Sequence, residues 1–214
     1  MTVLTYTLLG DGSSDAVLLR HIAWLLEQHL SSDIATRPQW ADLRRLKSKP
    51  SSLAERIEAT VALYPCDLLF VHRDAERETP EKRRDEVERA VQHVNCANPF
   101  VCVIPVHMQE AWLLFDERAI RHAAGNPNGK SQLDLPTLRQ IENLPDPKQD
   151  LLECLRRASE LSGRRLKLFR RDESDAARRV ADYIEDFSPL SSLSAFQRLE
   201  SDIKATLTHH GWSS

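Results

Sequence analysis

The chain has 214 residues, with 29 Lys and Arg against 32 Asp and Glu, so its formal net charge is −3. That length fits one α/β domain with additions or two small domains, and it is enough to bury a core without disulfides. A composition of 41% hydrophobic and 29% charged residues excludes disorder. The near-neutral charge excludes a polycation that attracts nucleic acid through its overall charge, but it leaves room for a local basic groove.

The sequence contains no apolar run long enough for a membrane span, and its first residues lack the features of a signal peptide. We therefore expect a cytoplasmic protein that does not bind membranes. The four cysteines show no CxxC spacing, which argues against a zinc site or a redox pair.

The first half of the chain alternates β-rich apolar runs with amphipathic helical patterns. Strands are predicted at residues 3–9, 34–40, 67–72 and 100–106. Helices are predicted after Ser14 or Asp15, after residues 50–52, and at 81–94. Strands that alternate with helices indicate a parallel sheet with crossover helices, as in Rossmann-like folds.

The second half of the chain has helical patterns only. Helices are predicted at residues 109–124, 148–161, 175–187 and 193–208. We therefore expect an α/β fold with a mostly parallel sheet flanked by helices and a helical C-terminal part. The predicted division is an α/β core at residues 1–125 and a helical extension at 126–214, packed on the core.

Acidic residues follow three of the predicted strands. Asp11 follows the first strand between two glycines, Asp74 and Glu76 follow the strand at 67–72, and Glu110 comes soon after the last strand. Sites in open parallel sheets form beyond the carboxyl ends of the strands, and carboxylates there suit Mg²⁺ or Mn²⁺. Each acid taken alone is better explained as a solvated loop residue, but their recurrence on three strands favours a metal site.

Two of these segments resemble the motifs of Toprim domains. Residues 9–15 (LGDGSSD) resemble the first motif, a strand followed by Glu-Gly and by an Asp three residues after the Gly. Residues 71–76 (VHRDAE) resemble the second motif, Asp-x-Asp after a strand. Residues 110–116 (EAWLLFD), followed by Asp146-Pro147-Lys148, are similar to a bacterial Toprim-like family often encoded beside an AAA or ABC-type ATPase.

The resemblance covers roughly residues 3–165 and implies a Toprim-like fold and a metal-dependent nuclease related to the OLD class. It implies a Mg²⁺ (or Mn²⁺) cofactor, a nucleic-acid substrate with DNA preferred over RNA, and an AAA or ABC-type ATPase partner in defence against phage or plasmids. The implied catalytic residues are Asp11, Asp74 and Glu76. The implied metal ligands are Asp11, Asp15, Asp74, Glu76 and Glu110.

The match departs from the Toprim pattern at two acids. Asp11 stands where the first motif has Glu, and Glu76 stands where the second motif has Asp. The negative charge is kept at both positions, but the length of each side chain differs by one methylene group. Because this changes where the carboxylates lie, the alternative function is a non-catalytic binding or regulatory subunit of an ATPase complex. Asp15 has the further alternative of a helix N-cap, and Glu110 that of an acid in the first turn of a helix.

Basic residues cluster away from these acids, at 44–49 and at 164–171. Such runs bind phosphate backbones or form solvated faces, and Arg73 either binds phosphate or pairs with a carboxylate. Residues 125–131 imitate a Walker A loop but are one residue short of it and follow a helix, so any ATPase is a partner. The predicted nucleic-acid-binding residues are Arg73, Lys148, Arg164, Arg165, Lys167, Arg170 and Arg171.

Two other phosphoryl-transfer classes fit the pattern less well. A receiver-like phosphoacceptor domain needs paired acids after its first strand, and Asp11 and Asp15 are too far apart for that pair. A haloacid-dehalogenase phosphatase carries its Asp-x-Asp at the end of the first strand, whereas Asp74 and Glu76 follow a later one.

Overall fold

A computed structural model of the chain describes residues 2–75 and 78–213. It divides into two compact units, one formed by Met1–Ile104 with Gln197–Ser214 and the other by Pro105–Phe196. The first unit contains a parallel sheet flanked by helices, and the second is helical, which confirms the predicted α/β class. The predicted division at residue 125 and the packing of the extension on the core stay predictions.

The sheet contains four strands: β1 (Thr2–Leu9), β2 (Ile34–Trp40), β3 (Leu68–His72) and β4 (Phe100–Val103). Their order is β2-β1-β3-β4 and every neighbouring pair is parallel, so the predicted strands and their direction are confirmed. The last strand ends three residues before the predicted position 106. Pro105 lacks the N–H that a continuing strand needs, which is a physical reason for the early end.

Three helices of the first unit follow the strands in chain order: α1 (Leu18–His29), α2 (Leu53–Leu63) and α3 (Pro80–His93). A short 3-10 helix, Ser13–Val17, precedes α1. The hydroxyls of Ser52 and Thr79 accept hydrogen bonds from the first turns of α2 and α3 and fix where these helices begin.

The helices α2 and α3 pack against one face of the sheet. Their apolar side chains share a core with Leu69, Val71 and Cys102 of the strands. Because side chains alternate along a strand, Phe70 and His72 belong to the opposite face. There Phe70 contacts the ring of Tyr6 edge to face, with the ring centroids 5.7 Å apart. His72 therefore lies at the carboxyl end of β3, on the face away from α2 and α3.

The second unit is built from four α-helices and two 3-10 helices. The α-helices are α4 (Glu117–Ala123), α5 (Leu138–Ile141), α6 (Pro147–Ser159) and α7 (Gly163–Tyr183), and the 3-10 helices are Gln109–Leu113 and Ser188–Ser192. The single helix predicted at 109–124 is wrong, because the Asp116 carboxylate accepts the Ala119 N–H and starts α4 there. The helix predicted at 175–187 begins earlier, at Gly163, and includes the basic run.

The last helix, α8 (Ser194–His209), contributes its residues from Gln197 onward to the first unit. Asp202 of α8 pairs with Arg84 of α3 at 2.6 Å, and Glu200 contacts His29 of α1 at 3.0 Å. The C-terminal segment therefore completes the first unit. No helix among the described residues is long and apolar enough to cross a membrane.

Candidate functional site

The loop after β1 is folded around the carboxylate of Asp15. One oxygen of this carboxylate accepts the backbone N–H groups of Asp11 at 2.7 Å and Gly12 at 2.9 Å. The Ser14 hydroxyl donates to the other oxygen at 2.9 Å. Asp15 is only 5% exposed, so these bonds replace the water that the charge would otherwise need. The N-cap alternative for Asp15 is wrong, because Gly12 is the N-cap and Asp15 lies three residues later, from where its carboxylate bonds back to the start of the helical turn.

Gly10 lies where the loop leaves β1, and the space around it admits no side chain. A Cβ at this position would lie 2.7 Å from the Trp40 ring and 2.8 Å from the Asp15 side chain. A Cβ at Gly12 would meet its nearest neighbouring atom at 3.6 Å, which is ordinary contact. The close approach of Asp15 to the loop therefore depends on the glycine at position 10.

Asp11 belongs to a group of charged residues that we call the arginine cluster, formed by Asp11, Arg56, Arg73, Arg83 and Glu86. Arg56 and Arg73 both contact Oδ1 of Asp11, at 2.6 Å and 2.8 Å. Arg56 also donates to the Gly10 carbonyl, and Glu86 bridges Arg73 at 3.2 Å and Arg83 at 2.9 Å. Asp11 is thus a paired carboxylate in a network of three cations.

These contacts set the charge state of Asp11. Burial acts to raise the pKa of Asp11, but the hydrogen bond from Arg56 and the positive charge of Arg73 outweigh it, so the pKa lies below its ordinary value. A carboxylate with a lowered pKa stays ionised at neutral pH and is a weak base. Acid–base catalysis by Asp11 stays a prediction. For that role, the contacts of Asp11 with Arg56 and Arg73 would have to break.

A second group, which we call the histidine cluster, consists of His72, Asp15 and Asp74. His72 is 1% exposed, and its Nε2 lies 3.4 Å from Oδ1 of Asp74 and 3.8 Å from Oδ2 of Asp15. Its Nδ1–H donates to the Val103 carbonyl at 2.9 Å, which leaves the lone pair on Nε2. Burial lowers the pKa of His72 more than the nearby Asp15 charge raises it, which favours the neutral ring.

The structure therefore brings Asp11, Asp15 and Asp74 to one edge of the sheet, because β1 and β3 are neighbours and Leu9 pairs with Val71. Glu76 lies outside the described residues. Glu110 lies in the 3-10 helix Gln109–Leu113 of the second unit. In residues 2–75 and 78–213, no group of three or more His, Cys, Asp or Glu side chains is arranged to hold a metal ion by itself.

A cavity of about 160 Å³ opens beside Asp11. The loop 10–13 forms one side of it, and Trp40, Lys49 and Arg56 contribute to the rest of the lining. Arg44 also lines the cavity but forms a two-pronged pair with Asp42, at 2.7 Å and 2.9 Å. The amino and guanidinium groups give this cavity a chemistry that suits an anion.

The remaining predicted nucleic-acid-binding residues lie in the second unit. Lys148 is exposed in the first turn of α6, and the run at 164–171 forms the exposed first half of α7. In the part of the chain that the structure describes, no salt bridge involves the cations of this run. These are Arg164, Arg165, Lys167, Arg170 and Arg171. Arg73 instead pairs with Asp11 and Glu86, one of the two roles expected for it.

Two residues of the site are not among those predicted from the sequence. A lone histidine on a strand is usually a packed residue. His72, however, lies two residues before Asp74, and residues at this spacing in an extended segment lie on the same side. This spacing could have indicated that His72 belongs to the site. Arg56 gives no signal, since it is one of several charged residues in a helix and reaches Asp11 only through the tertiary fold.

Comparisons of the chain with models of protein families, with curated proteins and with solved structures found no match. The fold and the site define a Rossmann-like α/β protein with carboxylates, arginines and a buried histidine at the carboxyl edge of its sheet. The chemistry of these residues is therefore the basis on which a function can be inferred.

Proposed function

We propose that the chain is a Toprim-type, metal-dependent nuclease that hydrolyses phosphodiester bonds in nucleic acid. The observation that carries this proposal is the meeting of Asp11, Asp15 and Asp74 at the carboxyl ends of two adjacent parallel strands. This edge is where open α/β sheets bind their ligands. The two segments that hold these acids are also the ones that resemble the Toprim motifs.

The residues at this edge fit a divalent cation. Asp74 and the buried Nε2 of His72 face each other at 3.4 Å, with the Asp15 carboxylate alongside. Asp74 would hold the metal, and Glu76, Asp15 and Glu110 stay predicted contributors. Mg²⁺ is commonly bound by one or two carboxylates, with water and phosphate oxygens completing its shell, so a cluster of three protein ligands is not required. When bound, the metal supplies Lewis acidity and an activated water.

The cavity beside Asp11 supplies a place for a substrate phosphate. Lys49 and Arg56 line it, and Asp11 holds the Arg56 guanidinium at 2.6 Å. A positioned guanidinium binds a phosphate through two parallel hydrogen bonds at low entropic cost. In this proposal Asp11 orients Arg56 toward the phosphate, and the acids of the histidine cluster hold the cation.

The exposed first half of α7 supports a nucleic-acid partner. Five cations without a salt bridge among the described residues lie within residues 164–171, and Lys148 is exposed in α6. Counterions released from a phosphate backbone would favour such contacts. We propose DNA in preference to RNA as the substrate, and an AAA or ABC-type ATPase as the partner in a defence system against phage or plasmids.

The test is cleavage of plasmid DNA, single-stranded DNA and RNA with Mg²⁺ or Mn²⁺, with and without a candidate AAA or ABC-type ATPase. Asp74→Asn should lower the rate about 100-fold or more, because a lost ligand weakens a metal site at least as much as a lost supporting group. Glu58→Gln, an exposed change on α2, is the matched control and should leave the rate unchanged. Equal rates for Asp74→Asn and the native chain would overturn the proposal.

The second candidate function is a non-catalytic regulatory subunit of an ATPase complex. The observation in its favour is Asp11, which stands where the Toprim pattern has Glu and which binds two guanidinium groups. This function predicts stable co-purification with the ATPase and a defence phenotype that survives Asp74→Asn. A phenotype lost in Asp74→Asn but kept in Glu58→Gln would exclude it.

A further inference from the structure

The Nε2 atom of His72 is a buried polar atom that lacks a hydrogen-bond partner among the described residues. Its ring is 1% exposed, and the atom is aimed at the carboxylates of Asp74 and Asp15, at 3.4 Å and 3.8 Å. The other ring nitrogen donates to the Val103 carbonyl at 2.9 Å, so in the neutral tautomer, the form in which histidine binds metal ions, the nitrogen that faces the acids is the one with the lone pair.

A lone pair that faces two carboxylates is electrostatically unfavourable, and an unpartnered polar atom in the interior costs free energy as well. A cation bound between the nitrogen and the carboxylate would satisfy both. The Nδ1–H bond to a backbone carbonyl is also the usual outer contact of a metal-binding histidine, because it fixes the tautomer and the direction of Nε2.

The spacing of these atoms fits a shared ion. Two donors that are each about 2.1 Å from one ion lie roughly 3.0 Å apart at a right angle and roughly 4.2 Å apart when opposite. The separations of 3.4 Å and 3.8 Å from Nε2 to the two carboxylate oxygens fall between these limits. No movement of the buried ring is needed for His72 and Asp74 to become ligands of the same ion.

We infer that His72 Nε2 and the Asp74 carboxylate together bind a first-row transition metal ion, so that the site takes Mn²⁺ in preference to Mg²⁺. The inference rests on the proposed function for the place of the metal and adds the nitrogen ligand and the metal class. Imidazole nitrogen binds transition metals well, whereas Mg²⁺ is held almost entirely by oxygen. The Asp15 carboxylate adds negative charge next to this pair.

The test measures coordination directly and needs no substrate. Mn²⁺ is added to the full chain, and electron spin-echo envelope modulation reports whether a ¹⁴N nucleus is bound to the ion. The background carries His209→Gln and His210→Gln, since these adjacent rings near the end of α8, with centroids 4.9 Å apart, are a possible adventitious site. We expect a nitrogen coupling typical of one imidazole, and a dissociation constant for Mn²⁺ about tenfold or more below that for Mg²⁺.

Two variants and one control connect the signal to this site. His72→Phe should abolish the nitrogen coupling and weaken Mn²⁺ binding about tenfold or more. If His72→Phe does not fold, Asp74→Asn answers the same question, because this side chain is 27% exposed and its replacement retains the shape. His93→Gln changes an exposed histidine at the end of α3 and should leave both readouts unchanged.

The outcomes separate this inference from the proposed function. Bound Mn²⁺ without a nitrogen coupling, no binding of Mn²⁺, or a coupling that survives His72→Phe would each overturn the inference. A nitrogen coupling in a chain that cleaves no nucleic acid would support the inference and contradict the nuclease. Cleavage by a chain whose bound metal shows no nitrogen coupling would support the nuclease and contradict the inference.

Discussion

The arginine cluster and the histidine cluster each contain an aspartate from the loop after β1, Asp11 and Asp15, but the two carboxylates have opposite surroundings. Asp11 is 42% exposed and contacts two guanidinium groups. Asp15 and Asp74 face a buried imidazole instead. The contrast shows that a carboxylate's position at the end of a strand does not by itself decide its chemistry, since the groups packed against it do.

The two clusters also differ in the kinds of charged group that they bring together. In the part of the chain that the structure describes, three guanidinium groups and two carboxylates contact one another in the arginine cluster. The histidine cluster combines two carboxylates with one imidazole. Under the proposed function, the first cluster would contact the substrate phosphate and the second would hold the cation.

The largest loss of stability should come from replacing Asp15, the residue whose carboxylate holds the loop that connects the two clusters. Asp15→Ala removes the acceptor of two backbone N–H groups in a buried position, so we expect a loss of about 3 kcal/mol in the free energy of unfolding. Urea unfolding monitored by tryptophan fluorescence measures it. Asp15→Asn keeps one acceptor oxygen and should lose less, and a loss below about 1 kcal/mol for Asp15→Ala would contradict this role.

A smaller effect is expected at the two glycines of the same loop. Gly10→Ala places a methyl group 2.7 Å from Trp40 and 2.8 Å from Asp15, and we expect it to cost about 2 kcal/mol. Gly12→Ala is the matched control, because its methyl group would meet nothing closer than 3.6 Å, and it should cost less than about 0.5 kcal/mol. Equal midpoints of thermal unfolding for the two variants would show that the loop accommodates a side chain at position 10.

The smallest effect on stability should come from the ion pairs of Asp11. Its pKa in the folded chain lies below the ordinary value of 3.8, so the pairs stabilise the fold above that value, and this contribution is lost as the pH falls through the lowered pKa. Arg56→Met should bring the Asp11 pKa toward 3.8 and cost about 0.5 kcal/mol at pH 7, a figure already reduced for solvent screening.

Carboxyl-carbon NMR titration of Asp11 measures that change, and unfolding at pH 7 and pH 3 measures its effect on stability. Arg44→Met is the control, since Arg44 pairs with Asp42 and should alter the Asp42 pKa, which lies at about 2, but not that of Asp11. An Asp11 pKa that does not move in Arg56→Met would place the dominant charge on Arg73.

Three strands of the sheet, β1, β3 and β4, were predictable from sequence because they are mostly apolar runs followed closely by glycine, charge or proline. The acids of the site were predictable for the same reason, since position after a strand is a local property of the chain. The partners of those acids were not. Arg56 is 45 residues from Asp11, and only the crossover through β2 and α2 brings its guanidinium to that carboxylate.

The helices of the second unit show the limit of periodicity. Residues 109–124 continue a helical pattern, but Asp116 competes for the backbone and starts a new helix, which periodicity does not reveal. The basic run at 164–171 lacks a continuous apolar face, so its helix became evident only from the structure. A polar side chain sets the first of these boundaries, whereas Ser162 before α7 makes no side-chain capping bond.

The contribution of α8 to the first unit has a consequence for how the chain is made. His29 and Glu200 are 171 residues apart, and Arg84 and Asp202 are 118 apart, so these contacts cannot form until residues 200–202 have left the ribosome. Closing such long loops is slow, and the residues of the first unit that contact α8 lack this partner during synthesis. A nascent chain paused before residue 197 would therefore be a target for chaperones and proteases, while the contacts within Pro105–Phe196 are already available.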